Sequence, residues 1–223
     1  MDQESQKQLA ARSAIELVDW RQPFGVGSGS TVNYFIDALK AYKQDIQGVV
    51  PASIMSRDRL IHHGIPVLSA NQTGNLDQYF DGADEVDNHF FCIKGRGAAM
   101  TQERIVRAQS ASFICMIDQT KFVSVLGGQC PIPVEVLTQA RSYVSRRLVA
   151  MGGAPALRHG VITEQNAEIV DAYHLPLREP VSVESQLDRI AGVIGHGLFA
   201  SDGPNVVILS GAKGVELLNR GSV

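Results

Sequence analysis

The sequence Gly25-Val26-Gly27-Ser28-Gly29-Ser30-Thr31 joins a short apolar run to an apolar-periodic stretch at residues 32–39. This pattern predicts a strand, a glycine loop and a helix, in that order. Glycine lets backbone amides approach a bound group closely, and the helix would direct its positive N-terminal end toward that group. The loop therefore fits a phosphate or another anion, with Ser28, Ser30 and Thr31 as hydroxyl donors.

The loop differs from two widespread phosphate-binding patterns. Residue 30 is serine, so the glycines do not complete G-x-G-x-x-G, and no lysine follows them as it does in a P-loop. A tight strand-to-helix turn, capped by serine or threonine, is the alternative interpretation. This segment alone does not decide between the capped turn and an anion site.

Strand and helix signals alternate on both sides of the loop. Strands are predicted near residues 48–50, 65–68, 78–80, 90–93 and 112–117, and helices at 3–18, 57–63 and 101–109, the last with Thr101 as its N-cap. This alternation predicts an α/β fold with a parallel sheet covered on both faces.

The pattern changes after Gly127-Gly128. A long helix is predicted at 138–151, short strands at 156–158, 161–163, 168–171 and 192–195, a helix at 183–190, a buried strand at 206–210 and a closing helix at 214–219. We therefore expect a large domain formed by residues 1–127 and 205–223. Residues 128–204 would form a smaller α+β domain inserted into it.

Composition narrows the class of protein. The chain has 223 residues, of which 44% are hydrophobic and 19% charged, with a net charge of −3, so it can bury a core and is not intrinsically disordered. A pI of about 6.1 disfavours a basic nucleic-acid binder. The three cysteines lack zinc spacing, the N-terminal residues are polar, and no apolar run approaches the roughly 20 residues that a membrane helix needs. Together with the pI, these features predict a cytoplasmic protein without nucleic-acid or membrane partners.

An acidic segment, Asp81-Gly82-Ala83-Asp84-Glu85-Val86-Asp87, follows one predicted strand. Closely spaced carboxylates raise one another's pKa and suit proton exchange with sugar hydroxyls. The spacing does not fit a calcium loop, because the required glycine and distal glutamate are misplaced. An exposed acidic turn is the alternative, although its place at the carboxyl end of a strand favours a ligand site.

A second segment, Lys94-Gly95-Arg96-Gly97, also follows a strand and leads to Glu103 in the first turn of the next helix. Together, the lysine would act as an electrophile, the glycine loop as a cradle for a phosphate or an oxyanion, and the glutamate as a general base. Lys121 follows another buried strand and would point toward the same edge of the sheet. Taken singly, Glu103 could serve only as a helix-dipole complement and Lys121 as a solvated loop residue.

Taken together, these segments resemble the A-type ribose-5-phosphate isomerases. The matching stretches follow the family order across nearly the whole chain: Gly27 to Thr31, Asp81 to Glu85, Lys94 to Ala99 with Glu103, Lys121, Pro131 to Val136, Gly152-Gly153 and Gly197 to Phe199. The combination is specific, although each stretch alone is weak.

The resemblance implies a metal-free and cofactor-free interconversion of D-ribose 5-phosphate and D-ribulose 5-phosphate, in the non-oxidative branch of the pentose phosphate pathway. It also implies a Rossmann-like large domain with an inserted α+β domain, in a homodimer or homotetramer. Glu103 would be the general base, while Asp81, Asp84 and Lys94 would assist ring opening and oxygen protonation. The residues implied to hold substrate are Lys7, Ser28, Gly29, Ser30, Thr31, Asp81, Gly82, Ala83, Asp84, Lys94, Gly95, Arg96, Gly97 and Lys121.

Two departures from the family pattern stand out. Members usually carry Lys-Gly-Gly-Gly, whereas this chain has Arg96 in the middle of the glycines. Arginine there would cost energy if the position required a positive φ, and would otherwise add a cation near the phosphate. The segment at 163–168 also lacks the Asn-Gly-Asn turn often seen at that place. Neither departure removes a proposed catalytic group.

Two other functions remain open at the level of sequence. A sugar-phosphate sensor of related fold would need no general base, so the combination of Glu103, Lys94, Asp81 and Asp84 speaks against it. An isomerase acting on a different sugar phosphate would use the same groups.

The metal-free chemistry implied by the resemblance can be tested with a chelator. We expect conversion of ribose 5-phosphate to ribulose 5-phosphate to proceed at the same rate with and without EDTA, because side chains alone move the proton. The measurement is the initial rate after dialysis against the chelator. Loss of turnover that returns on adding a divalent cation would contradict the expectation.

Overall fold

The computed structural model describes residues 1–221, and its contacts divide the chain into two compact units. The larger unit contains residues 1–83, 102–122 and 204–223, and the smaller one contains 84–101 and 123–203. The boundaries inferred from sequence placed 84–101 and 123–127 with the larger domain. The division differs because residues 85–86 pair with 92–93, and 92–93 pair in turn with 198–199, so that none of them joins the large sheet.

The larger unit contains a six-stranded sheet. Its strands are β1 (Phe24–Val26), β2 (Val49–Pro51), β3 (Leu76–Asp81), β6 (Ser110–Asp118), β12 (Val206–Gly211) and β13 (Gly214–Asn219). They lie in the order β13-β12-β6-β3-β1-β2, and all neighbours are parallel except β12 and β13. The predicted mostly parallel sheet is therefore confirmed.

This order contains a topological switch point between β1 and β3. The chain moves from β1 outward to β2 on one side, then returns to place β3 on the other side of β1. In open α/β sheets, ligands bind at the carboxyl ends of the strands at such a point. The glycine loop follows β1 and Asp81 ends β3, so both predicted motifs lie there.

The helices of this unit are α1 (Gln3–Ala14), α2 (Ser30–Leu39), α3 (Ile54–His62) and most of α4 (Met100–Ala108). Helix α4 belongs to the smaller unit up to Thr101 and to the larger unit from Gln102 onward. Aromatic rings form the centre of the core. The ring of Phe80 on β3 stacks on Phe35 of α2 at 4.8 Å between centroids and meets Phe24 of β1 edge-on at 5.7 Å. These contacts fasten α2, and thus the start of the helix after the glycine loop, to the sheet.

An ion pair joins the outer ends of α2 and α3. Asp37 accepts bonds from Arg59 at 2.6 and 2.8 Å and lies 2.7 Å from the Nε2 atom of His63. The Arg59 guanidinium is the main reason why the pKa of Asp37 lies below its ordinary value. The pair therefore stays charged across the neutral pH range.

The smaller unit combines antiparallel strands with two helices. One sheet has the order β10-β7-β9-β8, from β7 (Ile132–Val136), β8 (Ala154–Leu157), β9 (Glu168–Tyr173) and β10 (Val193–His196). A three-stranded sheet contains β4 (Glu85–Val86), β5 (Cys92–Ile93) and β11 (Leu198–Phe199). Helices α5 (Arg141–Ala150) and α6 (Pro180–Asp188) contribute Val144, Leu148, Val183 and Leu187 to its core.

Several predicted elements are wrong. Residues 214–219 form strand β13 rather than a closing helix, because they pair with β12 across a two-residue turn. Residues 65–68 make only an isolated bridge between Val67 and Val49, and 161–163 form no strand. Thr101 does not cap α4, which begins one residue earlier; its hydroxyl donates to Glu135 instead. No helix among residues 1–221 is long and apolar enough to cross a membrane.

The aromatic core predicts the cost of truncating Phe35. Phe35 is fully buried, so Phe35→Ala should lower the free energy of unfolding by about 3–5 kcal/mol through lost burial and a residual cavity. Chemical denaturation measures this value. Ile61→Ala on α3, where the side chain is 58% exposed, is the control and should change stability by about 0.5 kcal/mol or less. Equal effects of the two changes would contradict this description of the core.

Candidate active site

The turn after β1 passes very close to the end of β3. The Gly27 amide donates to the Phe80 carbonyl at 2.9 Å, and its carbonyl accepts from the Ser56 hydroxyl at 2.6 Å. A Cβ atom on Gly27 would overlap the Asp81 carboxylate. Gly29 has a φ of +100° and occupies the N-cap position of α2 without offering a capping side chain. The amide end of α2 is therefore left open to an anion, as the glycine loop predicts.

Asp81 is completely buried at the end of β3. Its Oδ1 atom accepts from the amides of Ser28 at 3.1 Å and Gly82 at 2.7 Å, and its Oδ2 atom accepts from the Tyr79 hydroxyl. A buried carboxylate needs such donors to offset the loss of hydration. The contacts thus fix both oxygens and hold Ser28 against the strand end.

Glu103 faces the same loop from the first turn of α4. Its side chain is 3% exposed, and the Ser28 hydroxyl donates to its Oε1 atom at 2.6 Å. Ser28 therefore bonds two carboxylates, Asp81 through its amide and Glu103 through its hydroxyl. A held, buried carboxylate beside an open helix N-terminus suits proton transfer on an anionic substrate.

The smaller unit holds the predicted Lys94–Gly97 loop and Asp84. Lys94 is 3% exposed; its amide donates to the Gly197 carbonyl at 2.8 Å, and its Nζ atom lies 6.0 Å from the centre of the Phe199 ring. That distance suits a weak cation–π contact. A Cβ atom on Gly197 would overlap the Lys94 carbonyl, so the close approach requires glycine there.

The backbone of the Lys94–Gly97 loop shows whether arginine at position 96 is strained. Among residues 1–221, Gly95 at +101° and Ala98 at +62° have positive φ values in this segment, and Arg96 does not. Arginine is therefore accommodated without backbone strain. Its amide donates to the Asp84 carboxylate at 3.0 Å, and its exposed side chain lines a cleft of about 430 Å³ within the smaller unit.

The remaining predicted residues lie at the surface or partly covered. Ser30 and Gly97 are exposed, while Lys7, Thr31, Gly82, Ala83 and Lys121 are half-buried. The Lys7 ammonium pairs with Glu4 at 3.3 Å on α1. Lys121 ends a short 3₁₀ turn directly after β6, and thus at the predicted carboxyl edge of the sheet.

Sequence reasoning missed three supporting side chains. Tyr79 lies two residues before Asp81 on β3, so strand alternation could have placed both on one face. Ser56 and Thr101 gave no such signal, because their partners, the Gly27 carbonyl and Glu135, are distant in sequence. Within residues 1–221, no cluster of three or more His, Cys, Asp or Glu side chains is arranged to hold a metal ion.

Comparison with known proteins identifies the family. A family model described as ribose 5-phosphate isomerase A (phosphoriboisomerase A) matches residues 48–214. The chain belongs to this family. The isomerase is 47% identical over 219 residues to ribose-5-phosphate isomerase A of Haemophilus influenzae and 46% identical over 218 residues to that of Haemophilus ducreyi. Both matches cover 98% of this chain and 100% of the relative.

Solved structures agree with the sequence matches. The isomerase superimposes on ribose 5 phosphate isomerase A from Neisseria gonorrhoeae with a TM-score of 0.96 and 41% identity, covering 98% of both chains. A D-ribose-5-phosphate isomerase in complex with phospho-erythronic acid gives 0.95 and 36%, covering 99% of this chain and 100% of the other. The predicted family, the mixed α/β fold and the aldose–ketose isomerase class are thus confirmed.

The approach of Gly27 to Asp81 leads to a mutational prediction. Gly27→Ala should displace the Asp81 carboxylate and with it Ser28, lowering isomerase kcat about 10²-fold and stability by about 1–3 kcal/mol. Turnover and thermal unfolding measure the two effects. Gly74→Ala is the control, because a Cβ atom there meets open space, and it should behave as wild type. Normal turnover in the Gly27 variant would refute the importance of this approach.

Proposed function

We propose that the enzyme interconverts D-ribose 5-phosphate and D-ribulose 5-phosphate, in the non-oxidative branch of the pentose phosphate pathway. The observation that carries the proposal is the buried Glu103 carboxylate, held at 2.6 Å by the Ser28 hydroxyl beside Asp81 and the open N-terminus of α2. A positioned base next to an anion-binding loop fits proton transfer on a phosphorylated sugar. The family of the chain supports the same reaction.

In the proposed mechanism Glu103 removes the proton from C2 of the open-chain aldose. The electron pair of the broken C–H bond forms the C1–C2 double bond, and the carbonyl pair moves onto the aldehyde oxygen to give a cis-enediolate. The proton of the C2 hydroxyl passes to the aldehyde oxygen, so the negative charge moves to the oxygen on C2. That oxygen then forms the ketone carbonyl as the electron pair of the C1–C2 double bond takes the proton back from Glu103 at C1. No net oxidation occurs, because one carbon is reduced as its neighbour is oxidised.

The proposal gives supporting roles to Asp81, Asp84 and Lys94. Lys94 would stabilise the negative charge that develops on the enediolate oxygen, and the two carboxylates would exchange protons with the sugar hydroxyls during ring opening. The donors around Asp81 prepare it for this role, since its oxygens are fixed before substrate arrives.

Substrate binding is assigned to the two glycine loops. Ser28 to Thr31 would hold the phosphate or neighbouring hydroxyls through the open amides of α2, while Lys7 and Lys121 would supply positive charge. Gly82, Ala83 and Gly95 to Gly97 would offer backbone groups to the sugar. A related isomerase has been solved in complex with phospho-erythronic acid, which supports a phosphorylated sugar as the class of substrate.

A non-catalytic sugar-phosphate sensor is not favoured. The chain matches relatives named as isomerases over their full length, and it retains a buried base that a sensor would not use. We further propose a cytoplasmic homodimer or homotetramer without nucleic-acid partners. The odd number of cysteines, without zinc spacing, supports a reducing compartment.

The role of Glu103 is tested by Glu103→Gln. Glutamine keeps the shape and can still accept from Ser28, but it cannot take up the C2 proton. We expect kcat to fall about 10²–10⁴-fold with KM and the unfolding temperature nearly unchanged. Steady-state kinetics measures the fall, and Glu216→Gln at an exposed position of β13 is the control. Near-normal turnover of Glu103→Gln would contradict the proposed mechanism.

A further inference from the structure

Arg158 reaches the Lys94–Gly97 loop from another part of the smaller unit. It directly follows β8, where its amide donates to the Ile169 carbonyl at 2.9 Å and thereby continues the pairing with β9. Its Nη1 atom donates to the carbonyls of Gly95 at 2.9 Å and Arg96 at 3.2 Å. One guanidinium therefore holds two successive peptide groups of the loop.

These two bonds fix the direction of the loop amides. In a trans peptide the carbonyl and the N–H point in opposite directions. With the Gly95 carbonyl turned to Arg158, the Arg96 amide points away from it and donates to Asp84 at 3.0 Å. With the Arg96 carbonyl turned the same way, the Gly97 amide must also point away. Arg158 thus orients the amides of Arg96 and Gly97.

Asp171 on β9 holds the guanidinium in place. Its Oδ2 atom accepts from the Nε atom of Arg158 at 2.8 Å, and its Oδ1 atom accepts from Nη2. The side chains of Arg158 and Asp171 are only 18% and 11% exposed. This is the two-pronged Arg–carboxylate geometry that only a planar guanidinium provides, and it leaves Nη1 free to serve the loop.

We propose that Arg158, held by Asp171, is a positioning residue for the isomerase reaction. It would set the peptide orientations of the Lys94–Gly97 loop so that the Arg96 amide holds Asp84, while the Gly97 amide and Lys94 meet the developing enediolate charge. The inference rests on the proposed function of that loop.

The two glycines of the Lys94–Gly97 loop make contacts from outside the loop important for holding it in one conformation. Gly95 and Gly97 have far more backbone freedom than other residues, so a glycine-containing loop loses more entropy when it is ordered. Oriented donors speed a reaction only when they are fixed before charge develops. Arg158 ties the loop to the sheet formed by β8 and β9. The hydrogen bond within the segment itself, from the Ala98 amide to the Gly95 carbonyl at 3.0 Å, joins only residues three positions apart.

The test compares Arg158 with a second arginine that pairs with β9. Arg141 donates to Glu168 at 3.0 Å and does not contact the loop, so Arg141→Met removes a similar ion pair from the same unit. The variants are Arg158→Met, Arg158→Lys, Asp171→Asn and Arg141→Met. For each we would measure kcat and KM with ribose 5-phosphate, the unfolding temperature, and hydrogen–deuterium exchange of the segment at 94–98.

We expect Arg158→Met to lower kcat by at least about tenfold, with a smaller change in KM, and to speed exchange at 94–98. Arg158→Lys and Asp171→Asn should give intermediate losses of kcat, and they carry the test if Arg158→Met does not fold. Arg141→Met should leave kcat and loop exchange unchanged, even if it unfolds at a lower temperature.

The experiment distinguishes a failure of the positioning role from a failure of the proposed function. If wild type turns over ribose 5-phosphate but folded Arg158 variants keep its kcat and its loop exchange, the positioning role is wrong. If wild type shows no isomerase activity, the proposed function is wrong. Loop exchange then still decides whether Arg158 orders the segment, and unchanged exchange would overturn that part as well.

Discussion

The Asp81 carboxylate, buried at the end of β3, is the constraint around which the larger unit is organised. Burial without donors would be costly, so the chain supplies two amides and a tyrosine hydroxyl. One of those amides belongs to Ser28, whose hydroxyl in turn holds Glu103. The hydrogen bonds of this one buried side chain thus determine where the turn after β1 runs and, through it, where the proposed base is held.

This constraint also explains the residue types of the turn. The backbone can pass over the carboxylate only where no Cβ is present, which requires Gly27. Gly29 adopts a positive φ at the N-cap of α2, where a side chain would be strained and would compete with the proposed substrate phosphate for the helix amides. The phenylalanines beneath hold α2 to the sheet, so the open amides face a fixed direction.

The parallel sheet, the two glycine segments and the acidic segment were predictable, because each has a local signature: alternation of strand and helix, or glycine and charge directly after a strand. The β12–β13 hairpin was not, since residues 214–219 have no periodicity that separates a strand from a helix until β12 pairs with them. Tyr79 was predictable from strand alternation. Arg158 was not, because the loop carbonyls that it binds lie 62 and 63 residues away, and the contact depends on the register of β8 against β9.

The backbone at Arg96 has a consequence for how this enzyme can vary. The φ values require unusual conformations at Gly95 and Ala98 but not at the residue between Gly95 and Gly97, whose side chain extends into an open cleft. L-amino acids other than proline, which would remove the amide that donates to Asp84, therefore fit that position while the loop keeps its shape. Under the proposed function, charge beside the sugar can be changed here independently of loop geometry, so this is a position at which descendants, or a designer, can adjust which phosphorylated sugars are preferred.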